Sequence, residues 1–243
     1  MGFLRLGRRK VLLGSMGDYS TKVMAQTPIA YWPMWEAAGS VAADISGNGF
    51  DGVFAGVTLG QVGIGDGNTC PFFDGANDKM NAYSTGFRDA FNGAEGSIVA
   101  WAKMNAGTVW EDGVSRYIFR FLVNGSNEIR MYKSTANNRI DVNYKAGGTG
   151  HVRSLTALTT VEWMNIAITW SKIADQVKVY LDGVQNGATL TGLGTWAGTF
   201  SSSQTVVGAR IVTPSDVWHG YLAHFSVFGS PLASEVVADL AVV

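Results

Sequence analysis

The sequence predicts an all-β domain made of many short antiparallel strands, and three observations carry that expectation. Thirty-one glycines against five prolines suit short strands joined by tight turns. Apolar and polar residues alternate with a period of two in several segments, most cleanly where Val177, Val179 and Leu181 interleave with Lys178, Tyr180 and Asp182. Asn124-Gly125 and Asp182-Gly183 stand between such segments, and these pairs supply the positive φ that tight hairpins need. A chain of 243 residues with 47% apolar and 15% charged residues can bury a sizeable core and reads as a compact globular body.

The elements follow in order. Residues 29–35 carry Ile29, Tyr31, Trp32, Met34 and Trp35 on both faces, as in a strand covered on both sides. The strand runs into a loop of Asp44, Ser46, Gly47, Asn48, Gly49, Asp51 and Gly52, residues that tolerate positive φ or bond their own backbone. Residues 53–58 read as a short strand and 60–67 as a glycine-rich connection. Residues 97–104 alternate Ile98, Ala100, Ala102 and Met104 with Val99, Trp101 and Lys103, giving a central strand whose tip reaches water at Lys103.

Residues 116–144 read as a three-strand meander that turns at Asn124-Gly125 and Asn137-Asn138. Arg116, Arg120, Arg130, Lys133 and Arg139 make it the most basic part of the body. Such alternating charge is either a solvated outer face or a surface for a glycan or partner. Residues 163–170 and 176–181 form a hairpin, 205–209 and 218–228 supply the last strands, and 230–240 form a short helix.

Charge divides the chain unevenly. Residues 1–27 hold Arg5, Arg8, Arg9, Lys10 and Lys22 against Asp18 and carry +4, while the remainder carries −5. The expected division is a basic arm over 1–27 and one domain over 28–243. Arg5, Arg8, Arg9 and Lys10 are the expected assembly contact, docking on an acidic protein surface. The body lacks the aromatic-basic interleaving of a nucleic-acid binder, and no stretch approaches the roughly 18 apolar residues of a membrane span. Arg8-Arg9 before Val11-Leu12-Leu13 is similar to a twin-arginine export signal, but Asp18, Ser20, Thr21 and Lys22 interrupt the apolar run, so export by cleavage is not expected. The single cysteine, Cys70, beside Pro71 and Phe72, reads as a small buried hydrophobe.

Four segments together resemble one family. An aromatic-Trp-Pro run followed by D-x-S-G-N-G-x-D-G, then GSIVAWAK at 96–103, WMNIAITWSKIADQVKVYLDGVQNG at 163–187 and the closing 206–240 segment are similar, in register, to laminin G-like domains of the concanavalin A-like class. The resemblance implies a two-sheet antiparallel jelly-roll sandwich whose first and last strands are neighbours, with a short C-terminal helix, and the charge division adds an extended N-terminal arm before it. It also implies that Phe72-Phe73 and residues 79–82 belong to a pair of short strands.

The resemblance raises two sites. Many relatives hold calcium with the D-x-S-G-N loop and an acidic pair near the final strand. Asp44, Ser46 and Asn48 match the loop, but Ala223-His224 stands where the acidic pair falls, and the other reading is that Asp44 and Asn48 fix the turn. Apart from this calcium, no cofactor is expected. Glycan binding is the family's common trade, and sugars are gripped by exposed aromatic platforms. Trp110, Trp196 and Trp218, in Gly-rich or turn-like contexts, are the candidates.

Catalysis is not expected. Glycosidases of this architecture carry an E-x-D-x-x-E strand, and here Glu111 and Asp112 are adjacent, which on a strand points them to opposite faces. His151, His219 and His224 accompany no G-x-S-x-G elbow. The arm leading into a lone domain through residues 19–33 is also similar to virion proteins of tailed bacteriophages. That implies a non-catalytic structural or display protein located in the virion and oligomeric within it, held to a major capsid or tail protein by the arm, with host glycans as ligands. The alternative is a bacterial secreted carbohydrate-binding or adhesion module.

Overall fold

A computed structural model describes residues 18–243, and Arg5, Arg8, Arg9 and Lys10 lie outside the described residues. In chain order the elements are α1 (Asp18–Met24), β1 (Ala30–Trp32), β2 (Val41–Ala42), β3 (Gly52–Ala55), β4 (Thr58–Val62), β5 (Thr69–Asp74), β6 (Lys79–Asn81) and α2 (Thr85–Ala90). After β7 (Glu95–Met104) comes a short 3-10 turn, Gly107–Glu111, then β8 (Arg116–Asn124), β9 (Asn127–Lys133), β10 (Ile140–Ala146) and β11 (Thr149–Leu155). The chain closes with β12 (Met164–Ser171), β13 (Gln176–Leu181), β14 (Val184–Gln185), β15 (Thr205–Val207), β16 (His219–Phe228) and α3 (Ser234–Asp239).

Two eight-stranded antiparallel sheets face each other. The first runs β14-β13-β12-β7-β16-β5-β4, with β1 also on β16; the second runs β11-β10-β9-β8-β15-β6-β3-β2. The expected sandwich, the short C-terminal helix and the pairing of first with last strand are all present, the last as Ala30↔Val227, Tyr31↔Ser226 and Trp32↔Phe225. One edge of β16 is shared end to end: β5 pairs with residues 219–221 and β1 with 225–227. Between them a bulge places His224 at φ +51°, its N–H donating to Pro33 O.

Between the sheets lies the main core, with Trp32, Phe73, Ile98, Phe119, Phe121, Ile166, Trp170 and Phe225 all at 1% exposure or less. Burying a side chain of this size is worth roughly 1.5–3 kcal/mol, so this layer dominates stability. A second apolar layer forms on the outside of the first sheet. Val99, Trp101, Ala167, Tyr180, Ala223 and Phe228 are covered there by Tyr19 and Val23 of α1 and by Val237 of α3 with Leu240 just beyond it.

This second layer moves the expected arm boundary. Tyr19 and Val23, four residues apart, fall on one helix face and are 1% and 0% exposed. Tyr19 OH donates to Leu240 O at 3.0 Å, and Lys22 Nζ sits 3.2 Å from Asp239. Helix α1, assigned to the arm by charge, packs on the outer face of the first sheet. No helix of the described residues is long and apolar enough to cross a membrane.

Candidate functional site

The outer face of the first sheet is only partly covered by α1 and α3. Beyond them, one cross-strand row, mostly aromatic, is partly exposed to solvent. Thr58 pairs with Phe72, Phe72 with Tyr221, and Tyr221 with Lys103. Trp163 stands one residue before β12, whose Met164 pairs with Ala102, so it takes the next place opposite Lys103. All four of Phe72, Tyr221, Lys103 and Trp163 are half-buried. Side chains at i and i+2 share a face, which is why these outward positions interleave with core residues Phe73, Leu222, Ala102 and Met164.

The row is a continuous aromatic strip. The Phe72 and Tyr221 rings lie 5.1 Å apart, Trp163 meets Tyr221 edge-on at 6.3 Å, and Lys103 Nζ sits 5.7 Å above the Tyr221 ring. Trp163 Nε1 donates to Gly63 O at 3.1 Å, which fixes the indole against the β4–β5 hairpin. Polar groups border the strip: His219 lies 6.2 Å from Phe72, and its Nε2 is 3.0 Å from Asn105 Nδ2. Burial and the nearby Arg116 guanidinium lower the His219 pKa, so its ring is neutral at pH 7 and accepts from the Asn105 amide. Half-buried aromatic faces with fixed donors and acceptors at their edge are the surface a sugar ring packs on.

The sequence candidates land elsewhere. Trp110 and Trp218 are 0% exposed core residues, so neither can present a ring to a ligand. Trp110 Nε1 donates to Thr160 O at 2.8 Å. Trp196 is half-buried, but its indole lies over Gly93, where a Cβ would collide with the ring, and it packs against Phe91, Tyr144 and Phe200. It braces the core rather than forming an open platform. Cys70 is fully buried, donating to Val62 O, and burial pushes its thiol up to about 12.

Asp44, Ser46 and Asn48 come together, but they hold the loop itself. Asp44 Oδ1 accepts from the N–H groups of Tyr31 and Ser46, and Oδ2 from Ser46 Oγ and Phe50 N–H, all within 2.8–2.9 Å. Asn48 Nδ2 donates to Ile29 O at 3.0 Å. With four donors aimed at one carboxylate, the residues present do not fit a calcium ion. No group of three or more His, Cys, Asp or Glu able to hold a metal occurs among the described residues.

The five cations of the meander are paired internally. Asp112 binds Arg116 and Lys133, each at 2.7 Å; Glu128 binds Arg120 at 3.1 Å and Arg130 at 3.4 Å; and Asp141 binds Arg139 at 2.6 Å. Glu111 does not join Asp112 in any carboxylate pair; its Oε1 accepts from Asn138 Nδ2.

The two-sheet sandwich topology is that of a lectin-like fold. The chain belongs to the Concanavalin A-like lectin/glucanases superfamily, which residues 74–238 match. No curated protein matches the sequence. Among solved structures it is similar to the receptor binding domain of botulinum neurotoxin mosaic serotype C/D, at 14% identity and TM-score 0.69 over 90% of this chain and 51% of that one. It is also similar to the serotype D ligand binding domain in complex with N-acetylneuraminic acid, at 15% identity and TM-score 0.68 over 90% and 52%. A third is domain 4 of AbnA, an extracellular GH43 arabinanase from Geobacillus stearothermophilus, in complex with arabinotriose, at 15% identity and TM-score 0.63 over 88% and 97%. This chain spans about half the length of the toxin domains. At these identities the likeness is one of fold.

Proposed function

We propose that the chain is a non-catalytic glycan-binding module whose ligand packs along Phe72, Tyr221, Lys103 and Trp163. The observation that carries this reading is the half-exposed aromatic row beside the helix-covered part of the same face. The sugar complexes of the serotype D toxin domain and of AbnA domain 4 lend support by fold analogy alone. Glycan array screening of the purified chain, followed by titration of Trp163 fluorescence against a Trp163→Phe control, tests it. A binding sugar should lose about fivefold in affinity in Tyr221→Ala, because stacking on one aromatic ring is worth roughly 1 kcal/mol. Silence across the array removes the reading.

The wider role we infer is display on a tailed-phage virion, with Arg5, Arg8, Arg9 and Lys10 mooring the module to a capsid or tail protein. Its support is the sequence resemblance through residues 19–33 and the charge of the first residues. Co-assembly of the full chain and of a chain lacking residues 1–17 with particle proteins separates this role from that of a secreted adhesion module. The secreted module would keep its glycan affinity and join no particle.

A further inference from the structure

Lys103 stands in the middle of the aromatic row with its charge uncommitted. It takes the place between Tyr221 and Trp163, whose rings are 6.3 Å apart, and its Nζ lies 5.7 Å from the Tyr221 centroid. The five cations of the meander are held by Asp112, Glu128 and Asp141, yet Lys103 Nζ has neither a carboxylate nor a hydrogen-bond partner among the described residues. The acids bordering the row are engaged elsewhere. Asp66 is bound to His224 and Asn68, Asp74 accepts from the Ala76 N–H, and Glu162, next to Trp163, forms no ion pair with Lys103.

The row is rich in donors. Tyr221 OH bonds to no described residue, and both it and Lys103 Nζ keep contact with solvent. His219, whose Nε2 accepts from Asn105, carries its proton on Nδ1 and adds a donor at the border. No member of the row is a carboxylate that could receive protons from sugar hydroxyls.

We propose that the row takes an acidic sugar, whose ring packs on Tyr221 or Trp163 while its carboxylate is bound by Lys103 Nζ. Stacking covers the apolar face of a sugar ring and leaves its substituents at the rim. Because Lys103 lies between the two aromatic rings, a carboxylate at the rim meets the ammonium from either one. A neutral sugar on the same row would cover that ammonium without supplying a counter-charge, and desolvating an unpaired charge is costly. A carboxylate turns the same burial into a charge-assisted hydrogen bond. The inference rests on the glycan reading of the row and adds the charge of the ligand to it.

The test is isothermal titration calorimetry of the full chain with trigalacturonic acid against α1,4-galactotriose, and with sialyllactose against lactose. The two pairs distinguish a uronate from a sialate as the source of the carboxylate. The chain should prefer the acidic member of at least one pair by about fivefold, the worth of one partly exposed charge pair. That preference should shrink as sodium chloride rises from about 0.05 M to about 0.5 M, because salt screens such pairs. Lys103→Met keeps the apolar stem and should bring the ratio of the two affinities to about one, whereas Lys103→Arg should preserve it. Equal affinity within both pairs, a preference that Lys103→Met retains, or failure of all four sugars to bind would overturn the proposal. Weaker binding in Tyr221→Ala with no preference for acid refutes the charge assignment and leaves the glycan row standing. Acidic-sugar affinity that Tyr221→Ala and Trp163→Ala both leave untouched puts the ligand off the row and refutes the two readings together.

Discussion

His224 Nε2 lies 3.0 Å from Asp66 Oδ2, and the two side chains are 1% and 2% exposed. The contact is one link of a buried chain. Tyr31 OH bonds His224 Nδ1 at 2.6 Å, and Ser20 Oγ is 3.1 Å from Tyr31 OH. Helix α1, strand β1, the β16 bulge and the β4–β5 hairpin are thereby joined through side chains alone.

That chain makes stability depend on acid. Burial alone would raise the Asp66 pKa, but hydrogen bonds from His224 and Asn68 outweigh it and hold it at about 2 against an ordinary 3.8. Because the folded value is the lower one, the stabilisation is complete above about pH 4 and is lost as pH falls toward 2. It is worth about 2 kcal/mol. Thermal melts between pH 2 and pH 7 should show this loss in the native chain. Asp66→Asn keeps an acceptor for His224 but cannot titrate, so it should flatten that part of the profile.

Asp44→Ala should destabilise the fold by about 2–4 kcal/mol, because it orphans donors from Tyr31, Ser46 and Phe50 at once. Melting in calcium and in EDTA should give the same loss. A calcium-dependent gain in the native chain that Asp44→Ala abolishes would show that the loop rearranges around an ion.

A chain lacking residues 1–17 keeps Tyr19 and Val23 in place and serves as the reference for the longer truncation. Removing 1–27 strips Tyr19 and Val23 from Trp101, Tyr180 and Ala223, and should cost about 3–5 kcal/mol by the magnitudes of large buried side chains. Denaturant melts of the two truncations decide where the body starts.

Gly93→Ala should be destabilising, because the added methyl meets the Trp196 indole. Trp196→Ala should also destabilise, by about 2–4 kcal/mol, through lost packing on Phe91, Tyr144 and Phe200. The double variant should cost less than the two single losses together, since removing the indole relieves the clash. A fully additive cycle would contradict the contact.

Much of the sandwich is legible in single strands. The alternation over residues 176–181 gives β13 within its observed bounds, and Asn124-Gly125 and Asp182-Gly183 fall at hairpin turns. β11 is harder to read, because its core-ward positions hold His151 and Arg153 at a sheet edge, so its alternation carries no hydrophobic signal. β4 hides in the glycine-rich 60–67 stretch because its pairing to β5 is irregular and its side chains are mostly solvated. The opening strand shortens to three residues because Met34 takes φ +61°.

The aromatic row was not legible for a different reason. Period-two alternation places Lys103, Tyr221 and Phe72 on outward faces, but it does not say which outward residues a helix will cover. Trp101 and Trp163 read alike in sequence, yet Trp101 is 6% exposed beneath Tyr19 while Trp163 stays half-open. Sequence context likewise made Trp110 and Trp218 look loop-borne, and only three-dimensional packing reveals that they point inward. The spacing of Tyr19 and Val23 was the one local sign that the body begins before residue 28.

Because Tyr19 OH is bonded to Leu240 O, the entry and exit of the described chain meet on one face of the first sheet. Both ends of the described chain therefore lie over the outer face of the first sheet. The outer face of the second sheet is the side of the sandwich remote from both ends.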